Sequence, residues 1–163
     1  MIDAIDTRIL TILQQDARAA NAEIARSVGL APSAVHERIR KLERRGVIRG
    51  YEVRLNPEEL GLDLLAFVFV QVDERQSEQR TGEQIAKLPE VLEVHHLAGE
   101  DCYLVKVRCA STQALGVLLR DGFGAFEAVR RTRTTIVLGT ILESSRLPLP
   151  EVEKEAPHAA VVV

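Results

Sequence analysis

Positively charged side chains are concentrated in one short stretch of the sequence. Residues 38–54 hold seven cations against two acids, Glu43 and Glu52, a local excess of +5 in a chain whose formal charge is −3. The cations are Arg38, Arg40, Lys41, Arg44, Arg45, Arg49 and Arg54. Such a local excess is typical of a surface that contacts phosphate groups. Arg44 and Arg45 also suit a solvated helix end, which the helix dipole favours in any case.

The residues just before and within this stretch have the spacing of two helices joined by a tight turn. Counted from Asn21, Ala25 is fifth, where a small side chain lets the helices cross closely, and Gly29 is ninth, where a turn needs positive φ. The apolar positions are Ile24, Val28, Leu30, Val35 and Ile39. Pro32 suits the first turn of the second helix, and Gly46 suits its C-terminal cap. An ordinary core hairpin would show the same spacing, but the adjacent charge favours a DNA-binding helix-turn-helix.

The outer face of the second helix is the predicted DNA surface. Val35, Ile39 and Leu42 face inward, so the N-terminal half of the helix turns its other side towards a major groove. The predicted DNA-contacting residues are Ser33, Ala34, His36, Glu37, Arg38, Arg40, Lys41, Arg44, Arg45 and Arg49. We expect Arg40 to read guanine and Ser33 to bind phosphate. Ala31 stands where Ser or Thr would cap the helix, which costs about 1 kcal/mol of capping.

Two other groups of residues could carry chemistry. His95 and His96, with Glu93, Asp101 and Cys102, resemble a metal-ligand set. Adjacent residues of a strand point to opposite faces, however, so the two imidazoles cannot easily share one ion, and we predict no metal. A nucleophilic role for Cys102 would need a base and an oxyanion site that the sequence does not place beside it. We therefore predict no catalytic residues and no enzyme activity.

Composition indicates a soluble globular protein. The 163 residues are 46% hydrophobic and 28% charged, which is enough apolar material for a core. No apolar run approaches the roughly 20 residues of a membrane span, and the N-terminus shows no signal peptide. The two cysteines, Cys102 and Cys109, do not form a disulfide framework. These features predict a cytoplasmic protein with no membrane partner.

The N-terminal elements form one predicted domain, residues 1–50. Apolar residues at helical spacing from Ile2 to Leu13 predict a first helix, capped by Asp3 or Asp6, that packs on the hairpin. Asn21 is the predicted cap of the next helix. The alternating segment 47–55 predicts a strand that acts as a wing and exit. Asn56-Pro57 and Gly61 then mark a strand linker over 51–61.

The second half changes from helical to alternating strand patterns. Strands are predicted at 64–73, 91–98, 102–109 and 128–143, and helices at 77–88 and 111–120, capped by Ser77 and Ser111. This βαββαβ order predicts a ferredoxin-like sandwich over 62–149, an α+β fold overall, with a loose tail at 150–163. Phe67, Phe69, Val105 and Val107 cannot all face the helices. A second copy is the simplest cover for the other sheet face, so we expect a dimer.

Four sequence matches resemble the Lrp/AsnC (feast/famine) family of transcriptional regulators. IDTRILTILQQDAR resembles the opening helix, VGLAPSAVHERIRKLERRGVIRGY the recognition helix and wing, AGEDCYLVKV the glycine turn, and VRRTRTTIVL the final strand. The resemblance covers nearly the whole chain. It implies a winged helix-turn-helix, a RAM-type C-terminal domain, a homodimer and often an octamer of four dimers.

The resemblance also implies a small effector, usually an amino acid, and no other cofactor. The implied effector-binding residues are Ala98, Gly99, Glu100, Asp101, Cys102, Thr132 and Thr134. Glycine permits close backbone approach, and the neighbouring carboxylates suit an ammonium group. The chain departs from the family at Cys102, where the family commonly has Asp.

The function predicted from the sequence is a sequence-specific, effector-responsive DNA-binding regulator. Two alternatives stay open. One is a nucleoid-type DNA-organising protein that has no effector. The other is a small-molecule-binding protein in which the helical part only mediates assembly.

Overall fold

The computed structural model describes residues 2–73, 81–99 and 102–150. These residues form two compact units. One unit contains residues 2–54 together with 144–150, and the other contains Leu55–Glu143. The division at Leu55 lies within the predicted linker 51–61.

The N-terminal unit is built from three helices: α1 (Ala4–Gln15), α2 (Asn21–Val28) and α3 (Pro32–Arg44). One apolar side of each helix is buried, because apolar residues recur at helical spacing. The shared core consists of Ile9, Ile24, Ala25, Val28, Val35 and Ile39. The predicted helix-turn-helix and the packing of the first helix on it are confirmed.

Two glycines with left-handed backbone conformation delimit the helix-turn-helix. Gly29, at φ 73°, ends α2, and its N–H donates to the carbonyl of Ala25 at 2.9 Å. Gly46, at φ 68°, follows α3. Its N–H donates to the Glu43 carbonyl and the N–H of Val47 donates to the Leu42 carbonyl, both at 2.9 Å. This pair of bonds is the Schellman arrangement, which satisfies the last carbonyls of a helix.

The starts of the helices differ in how they are capped. Asp3 and Asp6 form a capping box on α1, in which each side chain accepts from the backbone N–H of the other. The prediction that Asn21 caps α2 is wrong. The capping position is Ala20, and Asn21 is already the first helical residue. Ala31 precedes α3 without a side-chain cap, as predicted.

The predicted wing strand is wrong for this chain. Residues 47–56 contain no strand, and the only regular element before Leu64 in this region is a single 3₁₀ turn at Glu58–Leu60. A strand needs a neighbouring segment to share its hydrogen bonds, and no described segment of the chain pairs with this one. The alternating pattern leaves Tyr51, Val53 and Leu55 exposed instead.

The second unit contains one antiparallel sheet and two short α-helices. Its elements are β1 (Leu64–Val72), α4 (Thr81–Ile85), β2 (Val91–His96), β3 (Tyr103–Cys109), α5 (Thr112–Val117) and β4 (Val129–Ile136), with strand order β2-β3-β1-β4. The α+β, ferredoxin-like βαββαβ fold is confirmed. The predicted cap Ser77 lies outside the described residues, whereas Ser111 caps α5 by accepting from the Ala114 N–H at 3.1 Å.

Several element ends differ from the prediction: α4 ends at Ile85 rather than at 88, and β2 ends at His96 rather than at 98. Two differences are larger. After α5 the chain continues as a π-helical turn, Leu118–Gly122, and a 3₁₀ turn, Phe123–Ala125, where a simple turn was expected. β4 stops at Ile136 rather than at Glu143. The residues after Val137 find no partner strand among the described residues, because β1 ends its pairing with β4 at Ala66.

The two faces of the sheet have different environments. Ala66, Val68, Val70, Val105 and Val107 point into the core, where Ile85, Leu115 and Phe123 cover them. Phe67 and Phe69 point to the opposite face and are only partly buried, which confirms that the two phenylalanines and the two valines do not all face the helices. Their cross-strand neighbours on that face are Leu104, Lys106, Arg133 and Thr135. This open face carries two phenylalanines that the helices do not cover.

Residues 144–150 belong to the N-terminal unit. The predicted second domain, 62–149, had included most of them in the sheet unit. The side-chain amide of Gln14 donates to the Leu147 carbonyl at 3.2 Å and accepts from the Leu147 N–H at 2.7 Å. A single side chain on α1 thus satisfies both backbone groups of Leu147. No helix among the residues described is long and apolar enough to cross a bilayer.

Candidate DNA interface and effector turn

The outer side of α3 is exposed, as a groove-reading helix requires. Val35, Ile39 and Leu42 are buried on one side of the helix, and the remaining side faces solvent. The exposed predicted contacts are Ser33, His36, Glu37, Arg40, Lys41, Arg44, Arg45 and Arg49, while Ala34 is half-buried. Apolar residues recur at helical spacing on the other side of α3. Nine of the ten predicted DNA contacts, all but Arg38, therefore lie on the accessible surface or at its edge.

Cations on this surface are available to an external partner. Arg40, Lys41, Arg44 and Arg49 make no ion pair with any residue in the described ranges. His36 lies 3.4 Å from the Asn21 amide, measured from Nδ1 to Nδ2, so α2 and α3 share a polar contact at the exposed rim. Unpaired guanidinium and ammonium groups on one helix provide the positive potential that phosphate binding needs.

Arg38 departs from this pattern, because it is paired with acids of the same unit. Its Nη1 donates to Asp3 Oδ2 and to Asp6 Oδ1, each at 2.7 Å. One guanidinium nitrogen is therefore paired with two carboxylates of the same unit. The hydrogen bond to Asp3 raises the pKa of Arg38, and the bond from the Asp6 backbone, together with Arg38, lowers the pKa of Asp3. The sequence indicated Asp3 and Asp6 as possible cap residues, but it did not indicate that both carboxylates also pair with Arg38.

The segment after α3 is held by a side-chain contact instead of a strand. The hydroxyl of Tyr51 donates to Glu43 Oε1 at 3.0 Å. Tyr51 is about half exposed, and the partial loss of water around its hydroxyl together with this carboxylate raises the pKa of Tyr51 to about 12. Ile48 also packs against the core of the helices. The two contacts keep the exit from α3, including Arg49, close to the helix.

The second predicted site is the turn between β2 and β3. The Leu97 N–H donates to the Cys102 carbonyl at 2.8 Å and closes the hairpin. Gly99 has φ 150°, a conformation that favours glycine, and a Cβ there would meet no atom within 4 Å. Ala98 adjoins it, whereas Glu100 and Asp101 lie outside the described residues. The turn thus offers open backbone at Gly99 for a ligand to approach.

The register shows which other predicted effector residues share this end of the sheet. Cys102 lies beside the end of β1, where its Sγ is 3.6 Å from the Val72 carbonyl oxygen. Thr132 pairs with Val70, which also pairs with Tyr103, the first residue of β3. Thr134 pairs with Val68, two residues further from the turn. Both threonines are half-buried on the helix-covered face. The fold brings Thr132 closer to the level of the turn than Thr134.

The two histidines lie on opposite faces of β2, as the strand period predicted. His95 Nε2 is 3.1 Å from Glu93 Oε2 on the open face, and the His96 ring packs against Tyr103, with centroids 5.1 Å apart. Lys106 bonds to Glu93 at 3.0 Å and also to Glu143. The bonds from His95 and Lys106 lower the pKa of Glu93. Across the residues that are described, no three His, Cys, Asp or Glu side chains lie together as a metal site would require.

Comparison with known proteins assigns each of the two units to a known domain family. Residues 2–43 match the AsnC-type helix-turn-helix domain, and residues 65–147 match the Lrp/AsnC ligand binding domain. The chain belongs to the Lrp/AsnC family. As an Lrp/AsnC protein it is a DNA-binding transcriptional regulator with a ligand-binding domain, which confirms the family and the function predicted from the sequence.

Individual relatives are similar to this Lrp/AsnC protein over almost its whole length. The HTH-type transcriptional regulator FL11 of Pyrococcus horikoshii is 39% identical over 148 residues, which cover 91% of this chain and 97% of the relative. The leucine-responsive regulatory protein of Escherichia coli K12 is 36% identical over 148 residues, 90% of each chain.

Solved Lrp/AsnC structures share the fold. The feast or famine regulatory protein from M. tuberculosis, complexed with L-methionine, superposes with a TM-score of 0.85 at 38% identity, covering 92% of this chain and 100% of that chain. A transcriptional regulator from Neisseria meningitidis in complex with L-Met gives 0.81 at 29% identity, covering 91% and 97%.

Proposed function

We propose that this protein binds double-stranded DNA as a homodimer through α3 and changes its DNA binding when an amino acid occupies the β2–β3 turn. The observation that carries the DNA half is the exposed, cationic surface formed by the outer face of α3 and the segment after it, where four cations have no ion pair within the described residues. We also propose a cytoplasmic location, because the relatives are transcriptional regulators of archaea and bacteria.

The exposed residues of α3 divide by the part of DNA that each can reach. Arg40, near the middle of the helix, has the planar donor fork that binds guanine O6 and N7. Ala34, His36 and Glu37 share its surface and would line the base edges. Ser33, Lys41, Arg44, Arg45 and Arg49 lie towards the two ends of the surface and would contact phosphate, which fixes register without reading sequence.

The open face of the sheet supports a homodimer. Phe67 and Phe69 are uncovered by helices, and residues 137–143 cross only part of that face. A groove of about 470 Å³ on this face is lined by Leu65, Phe67 and Lys106 of the sheet and by Val137 and residues 139–143. A second sheet packed on this face would remove both phenylalanines from water. Four such dimers would form the octamer that the family resemblance implies.

The turn at Ala98–Cys102 is the proposed effector site. Gly99 leaves its backbone accessible, so peptide groups can bind the ammonium and carboxylate of an amino acid. The carboxylates of the predicted residues Glu100 and Asp101 would also suit the ammonium. Thr132 lies at the same end of the sheet. Methionine and leucine are the first effectors to test, because relatives carry them in their names or complexes.

The DNA half is tested by the salt dependence of binding to genomic duplex fragments. Four phosphate-contacting cations from each copy of a dimer would give a slope of log K against log[salt] of roughly −7, at about −0.9 for each contact. A slope shallower than about −2, or no binding, would contradict the proposal. Sedimentation velocity of the same sample measures the size of the assembly.

The effector half is tested by calorimetric titration with each of the twenty amino acids, followed by DNA binding at saturation. We expect at least one amino acid to bind and to change the DNA affinity. Tight, salt-sensitive DNA binding without a response to any of them would favour the nucleoid-type alternative.

A further inference from the structure

The ion pairs of Arg38 connect the recognition helix α3 to the first turn of α1. Asp3 and Asp6 lie 35 and 32 residues from Arg38 in the chain, and one guanidinium nitrogen donates to both carboxylates at 2.7 Å. Arg40, Lys41, Arg44 and Arg49 of the same stretch make no ion pair with the residues that the structure describes. Arg38 is also the member of the stretch that faces neither the core nor open solvent, with 32% of its side chain exposed.

The two carboxylates are already fixed in place before Arg38 reaches them. The backbone N–H of Asp6 donates to Asp3 Oδ1 at 2.7 Å, and the N–H of Asp3 lies 3.4 Å from Asp6 Oδ2. The capping box therefore removes most of the rotamer freedom that an ion pair normally has to restrict. Such a preorganised acceptor pair makes the contact directional, unlike the apolar packing of Val35 and Ile39, which tolerates small rotations of a helix.

Release of Arg38 to a DNA phosphate would be unfavourable. Asp6 has only 10% of its side chain exposed, so its carboxylate would lose its cationic partner while still largely shielded from water. Asp3, with 52% exposed, would add a second negative charge close to the phosphate backbone. A phosphate contact that withdrew Arg38 from the two acids would thus break two charge-assisted bonds and leave two carboxylates near the phosphate backbone.

We propose that Arg38 is a positioning residue, which sets the rotation and translation of α3 on α1 and does not neutralise a phosphate. This inference rests on the proposed DNA-binding role of α3. It predicts that Arg38 affects discrimination between DNA sequences, because the base-reading side chains depend on the placement of α3, and that it leaves the electrostatic component of binding unchanged.

The test uses the full-length protein with two duplexes. One is the duplex that the wild-type protein selects from a random-sequence pool, and the other is a shuffled duplex of the same composition. For Arg38→Gln we expect the ratio of the two affinities to fall about tenfold, the effect of one misplaced base contact, with an unchanged salt slope. Lys41→Gln is the matched control, because it removes an exposed cation from the same helix. It is expected to keep the ratio and to make the slope shallower by about 0.9 for each phosphate that is no longer neutralised.

Two further variants keep the test decisive if Arg38→Gln fails to fold. Arg38→Lys keeps the charge but replaces the planar guanidinium, whose N–H directions are fixed, with a rotatable ammonium group, so the ratio is expected to fall only partly. Asp3→Asn removes one acceptor of the pair and is expected to lower the ratio as well. If Arg38 instead binds phosphate, Asp3→Asn would free it and raise the affinity for both duplexes equally.

The outcomes separate the inference from the function on which it rests. A wild-type protein that binds neither duplex overturns the proposed function. A wild-type protein that binds, together with an Arg38→Gln variant whose slope falls as in Lys41→Gln and whose ratio is unchanged, overturns only the positioning role. An equal decrease in affinity for both duplexes at an unchanged slope also overturns it, because that result reports a smaller folded fraction.

Discussion

Gly29 joins the two helices of the DNA-binding unit, and its replacement by alanine isolates the energetic contribution of one backbone conformation. The residue has φ 73° and ψ 34°, which is left-handed, and the N–H groups of Gly29 and Leu30 both donate to the Ala25 carbonyl, at 2.9 and 3.1 Å. A Cβ at this position would meet no atom within 4 Å. Steric overlap with neighbours is therefore excluded, and only the backbone cost of the left-handed conformation remains.

Two opposing contributions set the change in the free energy of unfolding that Gly29→Ala causes. An L-residue in the left-handed region costs about 1–2 kcal/mol relative to its preferred conformations. Alanine also restricts the unfolded chain, which stabilises the folded state by about 0.4–1 kcal/mol. The expected net effect of Gly29→Ala is a decrease of about 1 kcal/mol in the free energy of unfolding of the N-terminal unit, from the difference of these terms.

Gly50→Ala is the matched control. Gly50 also has open space around its Cβ position, but it is not among the glycines with positive φ. Only the unfolded-state term applies, so this variant is expected to be unchanged or more stable by up to about 1 kcal/mol. Gly29→Asn is expected to recover part of the stability, because asparagine tolerates the left-handed region better than alanine.

The assay is amide hydrogen exchange of the slowest-exchanging residues in α2 and α3, with circular dichroism in urea as a second measurement. Exchange is preferred because a chain with two compact units has no single free energy of unfolding. If Gly29→Ala and Gly50→Ala shift the stability in the same direction and by the same amount, the left-handed turn is not the reason for glycine at position 29.

Three further outcomes follow from the same structure. Arg40→Ala is expected to weaken binding to the selected duplex by about 1–3 kcal/mol and to relax discrimination at one base pair; unchanged affinity in a fluorescence-anisotropy titration removes Arg40 from base reading. Gly99→Val places a branched residue at φ 150°, so calorimetry is expected to show that amino-acid binding is abolished while DNA affinity is kept; a surviving response means that the effector binds elsewhere. Tyr51 has its pKa raised to about 12, so the stability that its bond to Glu43 contributes is complete below about pH 10, the unfolded value, and is lost as pH rises through 12. Tyr51→Phe is expected to remove that pH dependence from alkaline unfolding curves, and an unaltered dependence would exclude this contact as its source.

Features that depend on local conformation could be read from the residues alone. Gly29 and Gly46 both have the positive φ that their spacing predicted, and Asp3 and Ser111 both cap helices. The hydrophobic period correctly separated the buried side of α3 from its exposed side. In each of these cases the preference arises within a few residues of the chain, so a short sequence window contains the information.

Features that depend on partners far along the chain could not be read in this way. The alternating segment 47–55 has strand periodicity but forms no strand, because pairing requires a neighbour that the described chain does not provide. Among seven clustered cations, nothing local marks Arg38 as different from Arg40. Only the packing of α3 on α1 brings Asp3 and Asp6 to within 2.7 Å of it.

The sequence by itself determined the family, the order of the elements and the position of the basic surface, because periodicity, turn glycines and charge are properties of neighbouring residues. The tertiary structure decided that Arg40, Lys41, Arg44 and Arg49 have no ion pair among the described residues and that Arg38 is paired with Asp3 and Asp6. Coulombic and hydrogen-bonding interactions act over a few ångströms, so the role of a charged side chain depends on what the fold places beside it.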